Sequence, residues 1–253
     1  MDNFIFRGRD IAEFGAVAAF GDSMHAGAKI RRSEYDMPGG GSAEIGDAAY
    51  MPTTKVVRIT PEDGMTATPA WRRSILAWLQ GGRGELVEHN DPEVYRIAQF
   101  DTDGTYEWRS WPTGLLQMTM TLQPFAYAQT KTRAQEQTSK GAAVLTLDME
   151  TGIPAPVSVR ITPQGGTVTA VVIKCGGESV TLEGLNLGAE QTLLYRAGDP
   201  LEEDASVEEN GEVTFAHVTR WAQLMTRGSA QISVLVTGGE AKIEAWARCR
   251  WPA

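Results

Sequence analysis

Short runs in which apolar and polar residues alternate cover most of the chain and predict β-strands. In the clearest run, Leu116, Met118, Met120 and Leu122 alternate with glutamine and threonine, and we expect Pro124 to end the strand. Phe4-Ile5-Phe6 predicts a first strand that ends in a turn at Arg7-Gly8. Further strands are predicted around residues 55–60, 85–88, 94–98, 157–162, 168–175, 180–182, 232–236 and 241–251.

Only one segment in the first half has convincing helical periodicity. Trp71, Ile75, Trp78 and Leu79 would share one face of a helix. Thr68-Pro69 supplies an N-cap followed by proline at the first helical position, and Gly81-Gly82 would end the helix. An aromatic stripe at this spacing is typical of a core-facing helix, so we do not interpret it as a cofactor site.

Residues 31–46, Arg-Arg-Ser-Glu-Tyr-Asp-Met-Pro-Gly-Gly-Gly-Ser-Ala-Glu-Ile-Gly, place three consecutive glycines inside a polar, extended run. Glycine allows turn conformations that other residues avoid. The segment carries no set of catalytic residue types. It therefore predicts an extended arm, shaped by its turn.

The polar stretch 129–141 contains no bulky apolar residue and predicts a domain boundary. We predict an N-terminal domain over residues 1–130, a linker over 131–141 and a C-terminal domain over 142–253. The fold class is mainly β: a β-barrel or sandwich-like first domain with one α-helix and the extended arm, followed by a β-sandwich.

Charge and cysteine content narrow the function classes. The formal charge of -9 is spread over both halves and no basic patch is visible, which argues against nucleic-acid binding, although DNA could pass an acidic surface without adhering. Cys175 and Cys249 are too few for a disulfide scaffold, and we expect buried thiols. Without a run of about 18 apolar residues or a signal sequence, we expect a protein that is made in the cytosol and does not associate with membranes.

Phe20-Gly21-Asp22-Ser23 resembles the nucleophile block of GDSL-type esterases, with Ser23 as the nucleophile. Such an enzyme also needs an Asp-x-x-His pair and a Gly-x-Asn-Asp oxyanion block, and the sequence contains neither. The alternating helices and strands that present this serine are not predicted either. The esterase hypothesis is therefore the least favoured, and we predict no catalytic residues.

Metal and sugar sites also lack a complete residue set. Residues 199–212 contain seven acids, which favours a solvated hairpin loop over a calcium site, and His25, His89 and His217 are scattered. We predict no metal and no cofactor. Among the tryptophans of the second half, Trp246 should face outward from its strand, where it would make a packing or subunit contact or, alternatively, stack on a glycan.

Taken in order, several weak motifs resemble those of siphophage distal tail proteins. In the first domain they are Phe6-Arg7-Gly8, the arm, the 71–79 helix and the strand that ends in Gln123-Pro124-Phe125. The second half resembles the galectin-like, jelly-roll C-terminal domain of that family, through residues 152–159, 221–232 and Arg248-Cys249-Arg250-Trp251. Ser229, where relatives often carry asparagine, and Gly39-Gly40-Gly41 depart from the family pattern.

The resemblance implies a structural protein of a phage or prophage tail tip. It implies a homohexameric ring through which DNA passes, placed between the tail tube protein and the tail-tip hub or lysin, with the receptor-binding protein and the tape measure as further partners. The arm would reach a neighbouring subunit, and its candidate interface residues are Arg31, Arg32, Tyr35, Met37, Pro38, Gly39, Gly40, Gly41 and Ile45. An alternative function is a carbohydrate-binding module, with Trp246 as the glycan contact.

Overall fold

The computed structural model describes residues 3–21, 29–31, 34–36, 42–44, 49–101, 105–108, 114–151, 153–198 and 204–252. These residues form a mainly β structure with one α-helix, as the sequence predicts, and a short 3-10 helix that was not predicted. The chain divides into two compact units, Met1–Tyr127 with Pro252–Ala253, and Ala128–Trp251. Over the described ranges, no helix is long and apolar enough to cross a membrane.

The elements of the first unit, in chain order, are β1 (Phe4–Phe6), β2 (Arg9–Asp10), a 3-10 helix (Ile11–Phe14), β3 (Ala16–Phe20), β4 (Lys29–Arg31), β5 (Glu34–Asp36), β6 (Ser42–Glu44), β7 (Ala49–Met51), β8 (Thr53–Pro61), α1 (Pro69–Leu79), β9 (Gly84–Glu88), β10 (Asp91–Phe100), β11 (Thr105–Trp108) and β12 (Gly114–Ala128).

The remaining strands are β13 (Thr132–Arg133), β14 (Gln137–Ser139), β15 (Ala142–Leu147), β16 (Ala155–Gly165), β17 (Val168–Cys175), β18 (Glu178–Leu187), β19 (Leu193–Arg196), β20 (Ser206–Glu209), β21 (Glu212–Val213), β22 (Val218–Arg220), β23 (Met225–Thr226), β24 (Ala230–Thr237), β25 (Glu240–Ala247) and β26 (Arg250–Pro252).

The first unit is built on a sheet in the order β2-β1-β9-β10-β12-β8-β3, and helix α1 completes its core. On β12, Leu116, Met118, Met120 and Leu122 are buried, as their alternation predicts. The prediction that Pro124 ends this strand is wrong, because β12 continues to Ala128. The β12–β8 ladder ends at the pair Leu122–Thr53, so a proline two residues later costs that ladder no hydrogen bond.

Two tryptophans attach α1 to the N-terminal segment. The indole Nε1 of Trp71 donates to the carbonyl oxygen of Phe14 at 2.8 Å, and that of Trp78 donates to the carbonyl oxygen of Phe6 at 3.0 Å. Trp78 also stacks on the ring of Phe14, with 4.6 Å between centroids. Each indole N–H therefore has a partner although both rings are largely buried.

The glycines that follow α1 leave room for Arg7. Arg7 lies in the two-residue turn between β1 and β2 and has a left-handed backbone, with φ of 50°. Its guanidinium donates to the carbonyl oxygen of Gly81. A Cβ on Gly84 would lie 2.3 Å from the Cγ atom of Arg7, so a larger residue there would displace this side chain.

The second unit is a β-sandwich. One sheet has the order β13-β25-β16-β19-β20-β21, with β14 also paired to β25 and β23 to β16, and the other has the order β15-β24-β17-β18-β22. Apolar residues from both sheets form a single buried core, which includes Val159, Ile173, Val234 and Ile243. This arrangement agrees with the predicted fold class.

The segment predicted as a linker, residues 131–141, contains two short strands. Thr132 pairs with Ala247 and Gln137 pairs with Ile243, so β13 and β14 extend the sheet that contains β25. The Nε2 atom of Gln137 also donates to the carbonyl oxygen of Val144, at the edge of the other sheet, at 2.9 Å. Polar side chains therefore form sheet edges here, where few apolar residues are needed.

Candidate assembly surfaces

Two strand pairs lie, in sequence, on either side of the glycine-rich segment of the predicted arm. Lys29–Arg31 (β4) pairs antiparallel with Ala49–Met51 (β7), and Glu34–Asp36 (β5) pairs with Ser42–Glu44 (β6). In chain order the β5–β6 pair lies inside the β4–β7 pair, and we call these four strands the hairpin; residues 37–41 lie outside the described residues. Among the described residues, neither pair joins another sheet.

Of the candidate interface residues, Arg31 lies in β4 with an exposed side chain, and Tyr35 lies in β5. The others fall outside the described residues: Arg32, Met37, Pro38, Gly39, Gly40, Gly41 and Ile45. Their assignment to a subunit interface stays a prediction.

Aromatic contacts hold the base of the hairpin against the first unit. The ring of Tyr50 meets that of Phe125 edge to face, with 5.3 Å between centroids, and Phe125 in turn meets Tyr127 at 6.5 Å. Tyr127 stacks on the buried ring of Tyr95 at 5.3 Å. Ile30, which pairs with Tyr50 across the hairpin, remains 44% exposed. The hairpin therefore has an anchored base and an apolar side chain open to solvent.

The face of β12 opposite the core carries uncharged polar residues. Gln117, Thr119, Thr121 and Gln123 are all half-buried. On the neighbouring strand β8, Thr119 pairs with Val56 and Thr121 with Thr54. Arg58 pairs with Gln117 and is exposed on the same face, so this surface combines uncharged hydrogen-bonding groups with one cation.

Trp246 projects from β25 between the buried residues Ala245 and Ala247, so it faces away from the core as predicted. The guanidinium groups of Arg133 and Arg160 lie 5.8 and 5.5 Å from its ring centroid. A sugar that stacked on Trp246 would compete with these cations for the ring. Its role as a glycan contact stays a prediction.

A second aromatic surface, which the sequence patterns did not single out as a group, contains Val213, Phe215 and Trp221. Their exposed fractions are 63%, 52% and 40%. The rings of Phe215 and Trp221 meet edge to face at 5.5 Å, and Trp221 packs on Tyr195 at 5.4 Å. Two large apolar residues directly after the acidic stretch were the available signal in the sequence.

Each of the two described histidines lies beside one carboxylate. His89 Nε2 lies 2.8 Å from Oδ2 of Asp10, and His217 Nε2 lies 3.9 Å from Oε2 of Glu209. In the part of the chain that the structure describes, no three histidine, cysteine or acidic side chains come together as a metal site would require. Both cysteines are buried, and burial raises the pKa of the Cys175 thiol. Ser23 and Asp22 of the esterase-like block lie outside the described residues.

Solved structures share the fold of this chain, whereas no protein-family model and no curated protein matches the sequence. The chain resembles the SPP1 Dit (gp 19.1) protein, described as a paradigm of the hub adsorption apparatus in phages that infect Gram-positive bacteria, with a TM-score of 0.66, 11% identity and 99% of both chains covered. It also resembles chains of the phage P2 baseplate in its activated conformation with Ca (TM-score 0.54, 10% identity, 96% of this chain and 97% of that chain) and with Sr (TM-score 0.55, 9% identity, 96% and 98%). From end to end, the chain therefore has the fold of the SPP1 Dit protein.

Proposed function

We propose that this protein is a distal tail protein, a structural component of a phage or prophage tail tip or baseplate. It forms a hexameric hub ring that joins the tail tube to the tail-tip lysin and adhesion proteins, and its role is structural, not catalytic. The observation that carries this proposal is the correspondence with the SPP1 Dit protein, which covers 99% of both chains and so includes both units. Partial likeness would have supported only one shared domain.

The hairpin provides a physical reason for the subunits to assemble into a ring. A two-stranded hairpin is at best marginally stable alone in water, and its outer edges leave backbone N–H and C=O groups unpaired. In the described part of the chain, β5 and β6 pair only with each other. A strand from a neighbouring subunit would satisfy these groups by β-augmentation, so each subunit would stabilise the arm of the next.

The polar face of β12 is a suitable surface for this contact. Gln117, Thr119, Thr121 and Gln123 can donate and accept hydrogen bonds without the desolvation cost of burying ionised groups. A contact of this kind tolerates bridging water, and its repetition from subunit to subunit can close a ring with cyclic symmetry. We infer that this face meets the arm or the body of the adjacent subunit.

The charge of the chain suits a passage for DNA. Each copy carries a formal charge of -9, so a ring of six copies presents many carboxylates and few sites for phosphate. Like charges repel the phosphate backbone, and DNA passes without being held. The protein acts in the virion at the tail tip after assembly in the cytoplasm of the host. Its partners there are the tail tube protein, the tail-tip hub or lysin, the receptor-binding protein and the tape measure.

Light scattering of the purified protein at high concentration tests the ring. We expect a mass near six times 27.5 kDa for the wild type, and a mass near one subunit after deletion of residues 37–46. Thr121→Arg, on the polar face of β12, should also dissociate the ring, because it places a charge in the contact. Thr181→Arg, at a half-buried threonine on a sheet of the second unit, is the matched control and should not dissociate it.

A wild-type protein that stays monomeric at high concentration, and that behaves identically without residues 37–46, would contradict the ring and the role of the arm together. A hexamer that survives both the deletion and Thr121→Arg would retain the ring but assign its interface to another surface.

A further inference from the structure

Strand β15 lies at one edge of the sheet β15-β24-β17-β18-β22 and has the composition of a strand that pairs readily with other chains. Its six residues, Ala142–Leu147, include no charged residue, no proline and no glycine. Ala142 is exposed, and Val144 is 48% exposed. Leu235, which pairs with Ala142 on the neighbouring strand β24, is 45% exposed. An uncharged, apolar edge strand of this kind is prone to pair with other chains and to aggregate.

The direction of the backbone groups of β15 defines its outer edge. In an antiparallel ladder, alternate residues direct both their N–H and their C=O toward the same side. The carbonyl oxygen of Gly141 accepts from the backbone N–H of Val236 in β24 at 2.9 Å. The backbone groups of Ala142 and Val144 therefore point away from β24. A strand that added to the sheet at this edge would have to pair with these groups.

Side chains of β14 already bind the carbonyl groups on this edge. The Nε2 atom of Gln137 donates to the carbonyl oxygen of Val144 at 2.9 Å, and the Oγ atom of Ser139 donates to that of Ala142 at 3.1 Å. The backbone of β14 pairs instead with β25 in the other sheet. Two side chains therefore take the place of a neighbouring strand along β15, and we call these two hydrogen bonds the edge cap.

We propose that the edge cap prevents β15 from pairing with β15 of a second copy of this chain. An open edge can pair with the same edge of another copy around a twofold axis, so identical chains are the partners that the cap must exclude. Lys140, exposed between β14 and β15, adds a charge beside the edge, as is common at protected edges. The edge cap acts whether or not the chain forms a ring, so the two proposals fail separately.

The mass of the full-length protein, followed by light scattering during storage at high concentration, tests the edge cap. The double variant Gln137→Met, Ser139→Ala removes both donors with little change in side-chain shape. We expect its mean mass to rise about twofold or more above that of the wild type, whatever assembly the wild type forms, because each uncapped edge joins two copies.

Val144→Pro shows whether the added mass comes from this edge. The N–H of Val144 points away from β24, so proline there removes no hydrogen bond of the β15–β24 ladder but prevents a new strand from pairing. Added to the double variant, Val144→Pro should return the mass to that of the wild type. Gln137→Lys alone should also keep the wild-type mass, because lysine retains a donor and adds charge at the edge.

Two control variants exclude a general effect of mutation. Gln164→Met changes an exposed glutamine on β16, and Ile161→Val loosens the buried core without changing the edge, and both should keep the wild-type mass. A double variant with the mass of the wild type would overturn the proposal. So would a mass increase that Val144→Pro does not reverse, or an equal increase in Ile161→Val, because either result assigns the aggregation to lost stability and not to this edge.

Discussion

Trp78 offers the sharpest test of how the helix is held in the first unit. The side chain is 8% exposed, and its indole N–H donates to the carbonyl oxygen of Phe6 at 3.0 Å. A tryptophan of this burial removes about 200 Å² from water, which at about 25 cal/mol per Å² amounts to about 5 kcal/mol. We therefore expect Trp78→Ala to lower the free energy of unfolding of this unit by about 4 kcal/mol.

Trp78→Phe separates the hydrogen bond from the packing. Phenylalanine keeps an aromatic ring against Phe14 but leaves the carbonyl oxygen of Phe6 without its donor, a loss that costs about 1–3 kcal/mol for a buried group. We expect a destabilisation of about 2 kcal/mol, between the wild type and Trp78→Ala.

Hydrogen exchange of the full-length protein, resolved by peptide, measures both variants. Protection should fall in α1, β1 and β9, whereas peptides from β17 and β24 should exchange as in the wild type, because the second unit has its own core. Phe215→Ser, a substitution at an exposed position, serves as the control. A Trp78→Phe variant as stable as the wild type would refute the role of the hydrogen bond, and an equal loss of protection in β24 would refute the independence of the cores.

Three further predictions concern buried or strained positions. Gly238→Ala should lower the free energy of unfolding of the second unit by more than about 2 kcal/mol in urea unfolding, because φ is +94° and a Cβ would lie 2.5 Å from a carbonyl oxygen. Gly177 has a similar φ of +89° but open space around it, so Gly177→Ala should cost about 1 kcal/mol. Glu88→Gln should lower the free energy of unfolding by about 3 kcal/mol, because Glu88 and Arg96 form an ion pair at 2.6 Å with side chains only 1% and 6% exposed. The double variant Glu88→Gln, Arg96→Met should recover part of this loss, because it leaves no unpaired buried charge. Cys175, whose pKa is raised by burial, should stay protonated through pH 8 and react with a thiol reagent only on unfolding; rapid reaction in the native protein would contradict this burial.

Periodicity in the sequence was sufficient to predict strand and helix faces where burial decides the structure. The alternating apolar residues around Met118 and the helical stripe that includes Trp71 and Trp78 are buried, as their spacing predicts. Trp246 faces away from the core, as its position on the strand predicts. In each case a long run of apolar residues at one period outweighs any local exception.

The errors arose where pairing partners, not local pattern, decide the structure. Whether a proline ends a strand depends on whether a neighbouring strand needs a backbone N–H at that position. The sequence alone does not show that the pairing of β12 with β8 ends at Leu122. Likewise, the polar residues 132–133 and 137–139 become strands because β25 offers them an edge. The space that Gly84 leaves for Arg7 is a tertiary contact between positions far apart in the chain.

Of the exposed surfaces, the sequence predicted those that a local pattern marks and missed those that depend on tertiary contacts. Glycines inside a polar, extended run are a local signal, and the extended arm that they predict includes β5 and β6 and overlaps β4. The packing of Trp221 on Tyr195, by contrast, brings together a residue that follows β22 and a residue in β19. No local pattern records such a contact.

Negative-stain electron microscopy of the purified protein tests the central claim most directly. The account predicts rings with sixfold symmetry and a central hole, with a mass near six times the 27.5 kDa of one chain. Images that show only separate particles of single-chain size, even at high protein concentration, would contradict the assignment of this chain as a ring-forming hub of a phage tail.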